Sequence, residues 1–105
     1  PGDALEDFDA ALTLAPEFPE AWLLRAEAHS RTGDPLAAAR DLQEVLRLEP
    51  RHWVALLSLS ALQDEAGDAA AALRSAEAAL AINPKMPGGE RRLRDIRRKA
   101  EGEAL

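Results

Sequence analysis

Two histidines, His29 and His52, are the first residues to weigh for chemistry. A metal site or a general base would need further ligands or a carboxylate at helical spacing. No His-x3-His pair and no cluster of histidine with carboxylates occurs, so both histidines read as structural residues. The adjacent acids Glu6-Asp7 and Asp64-Glu65 point to different sides of a helix, which makes them solvated faces rather than an acid–base pair. Gly88-Gly89 lacks the strand before it and the lysine after it that a phosphate loop requires. No nucleophile motif is present. The chain has no cysteine, which excludes disulfides and thiolate metal sites. The sequence therefore points to no catalytic residue, no metal and no cofactor. Two features remain for recognition. Trp22 and Trp53 are large enough to anchor an interface. Arg91, Arg92, Arg94, Arg97, Arg98 and Lys99 interleave with Leu93 and Ile96, which reads as a solvated cap, with an anionic partner or a membrane surface as alternatives.

The elements that carry these residues follow from composition and period. The chain has 105 residues, 47% hydrophobic and 30% charged, with a net charge of -6. That is one domain by size. Alanine dominates the apolar count, and Phe8, Phe18, Trp22 and Trp53 are the four aromatics, a balance that favours closely approached helices over a sheet. The acidic balance argues against nucleic-acid binding. No apolar run is long enough to cross a membrane, so no membrane insertion is expected. The charge is uneven: acids fill the first twenty residues with no basic residue among them, and bases fill the tail.

Pro16, Pro50 and Pro84 stand 34 residues apart, and Gly33-Asp34 recurs as Gly67-Asp68 on the same beat. Between these breaks the apolar residues keep helical spacing. Ala4, Leu5, Phe8, Ala11 and Leu12 form a stripe that returns as Ala38, Ala39, Leu42, Val45, Leu46 and again as Ala72, Leu73, Ala76, Ala79, Leu80. The spacing predicts helices over residues 3–15, 20–32, 35–48, 52–66, 69–82 and 89–101, with 102–105 frayed. Glycine ends helices where the backbone turns left-handed, and Asp34-Pro35 is a helix-start signal.

This pattern resembles the tetratricopeptide repeat family, in which a 34-residue helix pair stacks on its neighbours. Trp22, Ala26, Gly33, Asp34, Ala38, Leu42, Val45 and Pro50 match one repeat, and Leu56, Ser60, Gly67, Asp68, Ala72, Ala76, Ala79 and Pro84 match the next. The resemblance implies an all-α, right-handed α-solenoid of antiparallel helix pairs. Residues 3–16 would be the second helix of an incomplete repeat, 19–52 and 53–86 two repeats, and 87–102 a C-terminal capping helix. Two places depart from the repeat. Arg25 stands where a leucine-like residue is expected, and Gly2-Asp3 is one turn too close to Pro16 to be the usual turn. On the repeat's pattern Trp22 belongs to the core. The layout is most similar to small bacterial tetratricopeptide proteins, many of them exported. A periplasmic location follows if an upstream signal peptide has been removed.

The family's function implies a non-catalytic scaffold that binds a peptide or protein segment on a concave face lined by first helices. Mapped onto this chain, that face comprises Glu20, Leu23, Leu24, Glu27, Ser30 and Arg31, then Val54, Leu57, Ser58, Ala61, Asp64 and Glu65, with Arg91 and Asp95 from the capping helix. Leu24 and Ser58 stand where the family's chaperone-tail binders carry clamp residues, which argues against that ligand class. The alternative is a self-associating assembly unit: Leu5, Phe8 and Leu12 form a second-helix stripe without its first helix, which upstream residues or a second molecule would cover.

Overall fold

The computed structural model describes residues 2–104, with side chains over residues 4–102. They form six α-helices in two compact units, Pro1–Pro50 and Arg51–Leu105. In the first unit α1 (Gly2–Leu14), α2 (Pro19–Arg31) and α3 (Pro35–Leu48) are successive neighbours, α1 against α2 and α2 against α3. Gly2 and Asp3 lie inside α1, so they form no repeat turn. Pro19 opens α2, where a missing amide proton costs nothing. At its end the Asp34 amide bonds the His29 carbonyl at 2.9 Å and Gly33 takes φ 82°, a backbone that only glycine adopts without strain. The Asp34 carboxylate then accepts from the Ala37 amide at 3.2 Å and starts α3. Leu23, Ala26, Ala38, Leu42 and Val45 are buried between these helices. The small side chains let α2 and α3 approach closely.

The second unit repeats this construction. It contains α4 (Trp53–Glu65), α5 (Ala69–Ile82) and α6 (Gly89–Ala104). Gly67, at φ 84°, ends α4, and Asp68 accepts from the Ala71 amide at 3.1 Å to start α5. Here Ser60 takes the place of Ala26. Its hydroxyl, fully buried, donates to the Ala72 carbonyl at 2.7 Å and ties α4 to α5. Ser75 donates to the Gln63 amide oxygen at 2.7 Å one turn on. Leu93 and Ile96 of α6 pack against Ala72, Leu73 and Ala76 of α5. Residue 102 does not begin a frayed tail. The helix continues through Gly102 to Ala104, while Leu105 lies outside the described residues.

Candidate functional site

Glu20, Leu24, Glu27 and Arg31 fall on one line along α2, and all four are exposed. Leu24 keeps 40% of its surface open to solvent. Leu23 does not share this face. It is only 6% exposed, because the other side of α2 is its packing side, and it belongs to the core of the unit. On α4 the matching line carries Val54, Ser58, Ala61 and Glu65. Val54 is 36% exposed, Ser58 and Ala61 are half-buried, and Leu57 beside them is half-buried too. Asp64 is held by Lys99, whose ammonium sits 3.1 Å from its carboxylate. Asp64, Arg91, Asp95 and Lys99 line a cleft of about 300 Å³. The Nε of Arg92, in the same cleft, is buried with no partner among the described residues. The structure thus brings Asp64 and Arg91 together within the second unit and places Leu24 among charged residues in the first.

A second cleft, of about 580 Å³, lies in the first unit and was not foreseen as a site. Among its lining residues is Asp41, a carboxylate only 3% exposed. Arg25 reaches it with two bonds, Nε to Oδ2 at 2.8 Å and Nη2 to Oδ1 at 2.7 Å. The other guanidinium nitrogen donates to Asp9 of α1 at 2.8 Å, and His29 Nε2 stands 3.7 Å from Asp41. The Asp41 hydrogen bond above all, then Asp9, raises the Arg25 pKa beyond its ordinary value against the lowering effect of burial. The guanidinium also lies 5.0 Å above the Trp22 ring. Trp22 is therefore half-buried rather than in the core. Its indole NH donates to the Pro16 carbonyl at 2.8 Å and fastens the α1–α2 connector. Arg25 thus replaces the expected leucine with an ion network linking all three helices of the unit. The visible signal was the arginine in a leucine place, and its partner Asp41 lay unmarked within an apolar stripe.

The remaining candidates also have definite places. His52 caps α4, its Nδ1 accepting from the Ala55 amide at 3.2 Å, which uses it structurally. Trp53 is half-buried at the start of that helix. On α1, Leu5 and Phe8 are half-buried and Leu12 is buried, so Leu12 offers little surface to a partner. No group of three or more potential metal ligands occurs among the described residues. No helix of the described residues is long and apolar enough to cross a membrane.

Known proteins share this arrangement. A TPR repeat-containing protein of Rhizobium etli is 36% identical over 56 residues, which cover 53% of this chain and 28% of that protein. The solved structure of MamA superposes with a TM-score of 0.88 at 20% identity, covering 95% of this chain and 55% of that one. The first TPR domain of Spaghetti (RPAP3), bound to the HSP90 peptide SRMEEVD, superposes with a TM-score of 0.84 at 19% identity, covering 96% of this chain and 78% of that one. At such identities the two structures speak to the fold, which is the all-α solenoid of tetratricopeptide helix pairs. The tetratricopeptide repeat profile matches residues 1–34 and 28–87, the register in which the prolines and the Gly-Asp turns recur, and so the chain belongs to the tetratricopeptide repeat family.

Proposed function

We propose that this chain is a non-catalytic protein-interaction scaffold that binds a peptide or protein segment through the outward faces of its first helices. The observation that carries this reading is the pair of exposed apolar residues on those faces. Leu24 of α2 and Val54 of α4 stay open while the opposite sides of the same helices are buried. Around Leu24 stand Glu20, Glu27 and Arg31, an apolar spot within a charged rim. In the second unit Arg91 and the unpartnered Nε of Arg92 suit an acidic group on the ligand. The Spaghetti domain, which has this fold, holds a peptide that contains two glutamates and an aspartate.

The test begins with peptides selected from a displayed random library, followed by amide shift mapping on the labelled chain. The expected result is perturbation along α2 at Leu24 and Glu27 and along α4 at Val54, Ser58 and Ala61. Leu24→Glu combined with Val54→Glu should weaken binding by about tenfold or more, the loss of roughly one buried apolar contact. Perturbation confined to α3 and α5, or unchanged binding by the double variant, refutes this placement.

A further inference from the structure

We propose that the cleft of about 580 Å³ in the first unit is a second binding site, and that it takes basic side chains of a partner protein. The first observation is where the cleft lies. Trp22, Arg25 and His29 line it from α2. At about 100° per residue, they stand on the side of α2 opposite Glu20, Leu24, Glu27 and Arg31. One ligand side chain therefore cannot touch both faces, and this site is separate from the peptide-binding face proposed above. From α3 the cleft takes Ala37, Asp41 and Glu44, at i, i+4 and i+7, with Arg40 beside them, and from α1 it takes Asp9. Its volume falls within the range of about 300–1,000 Å³ usual for ligand clefts.

The second observation is that the fold does not need these charges. Thirty-four residues on, the counterparts of Asp9, Arg25, Asp41 and Glu44 are Gln43, Leu59, Ser75 and Ala78, all neutral. Leu59 is buried and Ser75 donates to Gln63 at 2.7 Å, so the pair of α4 and α5 closes without an ion at these places. Replacing a buried ion pair with well-packed neutral residues is often neutral or stabilising. Packing alone thus leaves the charges of the first unit unexplained.

The third observation is which groups stay open. Arg25 is occupied within its own unit, giving two bonds to Asp41 and a third to Asp9. Among the described residues, Asp9 accepts through Oδ1 alone, and Glu44 through Oε2 alone, from Arg47. Their second oxygens are available to a ligand, and the two side chains are 60% and 38% exposed. The lining sets three carboxylates against two guanidinium groups, and Arg25 is already shared between two of the three. Exposed Arg40 is the group that opposes a cation. The field of the whole unit outweighs it, since Pro1–Pro50 holds eleven acids and four bases. The half-buried Trp22 ring offers an apolar wall to the methylenes of an arginine or lysine, whose charged end then meets Asp9 or Glu44.

Tryptophan emission tests this. The chain has two tryptophans, so Trp53→Phe leaves Trp22 as the reporter. Blocked oligo-arginine and oligo-glutamate peptides of equal length are the probes. In low salt oligo-arginine should change Trp22 emission saturably, and oligo-glutamate should not. In about 1 M salt, where the screening length is about 3 Å, the change should vanish. Asp9→Asn with Glu44→Gln should weaken binding about tenfold or more, with circular dichroism unchanged because neither side chain is buried. Glu17→Gln with Glu49→Gln removes the same charge from exposed residues that do not line the cleft, and should alter binding by less than about twofold. Arg40→Gln removes the opposing cation and should tighten binding. Equal losses in the two double variants would mean attraction to an acidic surface only and would overturn the proposal. Binding of oligo-glutamate, weaker oligo-arginine binding by Arg40→Gln, or no response of Trp22 to oligo-arginine would each overturn it too.

Discussion

Replacing Arg25 with leucine restores the residue type that the repeat expects, and on repeat pattern alone the change should stabilise the protein. The structure dictates the opposite. Asp41 is 3% exposed and relies on two charge-assisted bonds from Arg25, at 2.8 and 2.7 Å. With Arg25 gone, the nearest basic group is His29 at 3.7 Å, and the carboxylate is left buried without a matched partner. Breaking a buried pair by removing one member costs about 3–5 kcal/mol, because the other keeps its desolvation penalty. For a chain of this length that is a fall in Tm on the order of 10–20 °C. The Asp9 arm contributes far less. Its side chain is 60% exposed, so Asp9→Asn should cost below about 1 kcal/mol. The deciding variant is Arg25→Leu with Asp41→Ser, which copies the Leu59 and Ser75 of the second unit. Removing both members removes the stranded charge, and stability should return to within about 1–2 kcal/mol of the parent. Thermal and denaturant unfolding followed by circular dichroism measures all four proteins. If Arg25→Leu costs less than about 1 kcal/mol, or if the double variant is no better than the single one, the assigned role of this network is wrong.

Three further outcomes follow from the packing. Gly33→Ala and Gly67→Ala meet no atom within 4 Å of the new Cβ, so the expected loss of about 1–2 kcal/mol each comes from the left-handed backbone alone and should appear in unfolding curves without structural change. Ala38→Leu and Ala72→Leu insert bulk where the side chains are at most 1% exposed and should lower stability by about 1–3 kcal/mol; an unchanged Tm for both would contradict the close helix contact. His52→Ala removes the acceptor that caps α4, which should cost about 0.5–2 kcal/mol and speed hydrogen exchange of the Ala55 amide.

Much of the fold was legible because its signals are local. The glycine positions demand left-handed backbone, Asp34 and Asp68 announce helix starts, and of the stripes in α3 and α5, Ala38, Leu42, Val45, Ala72, Ala76 and Ala79 are buried while Ala39, Leu46, Leu73 and Leu80 are half-buried. The candidate faces were legible only in part. Glu20, Leu24, Glu27 and Arg31 share an exposed line, but Leu23, next to Leu24, turns into the core. Helical spacing places neighbours about 100° apart and does not say where one helix's contact with the next will end. Trp22 shows the same limit. Its position in the repeat pointed to the core, yet the hydrogen bond to Pro16 and the guanidinium above its ring keep it half-buried.

By itself, then, the amino-acid order determined the helices, their breaks and the family, because each depends on residues close in sequence or on a strict 34-residue period. It also exposed the charge difference between α1 and α6, which is a matter of counting. Only the tertiary structure decided that Arg25, Asp41, Asp9 and His29 meet, that His52 is a cap, and that Ala4, Phe8 and Ala11 of α1 are less buried than Ala38, Leu42 and Val45 of α3. Those facts depend on which helices lie side by side, and a polar residue's role is set by the partner that packing brings to it.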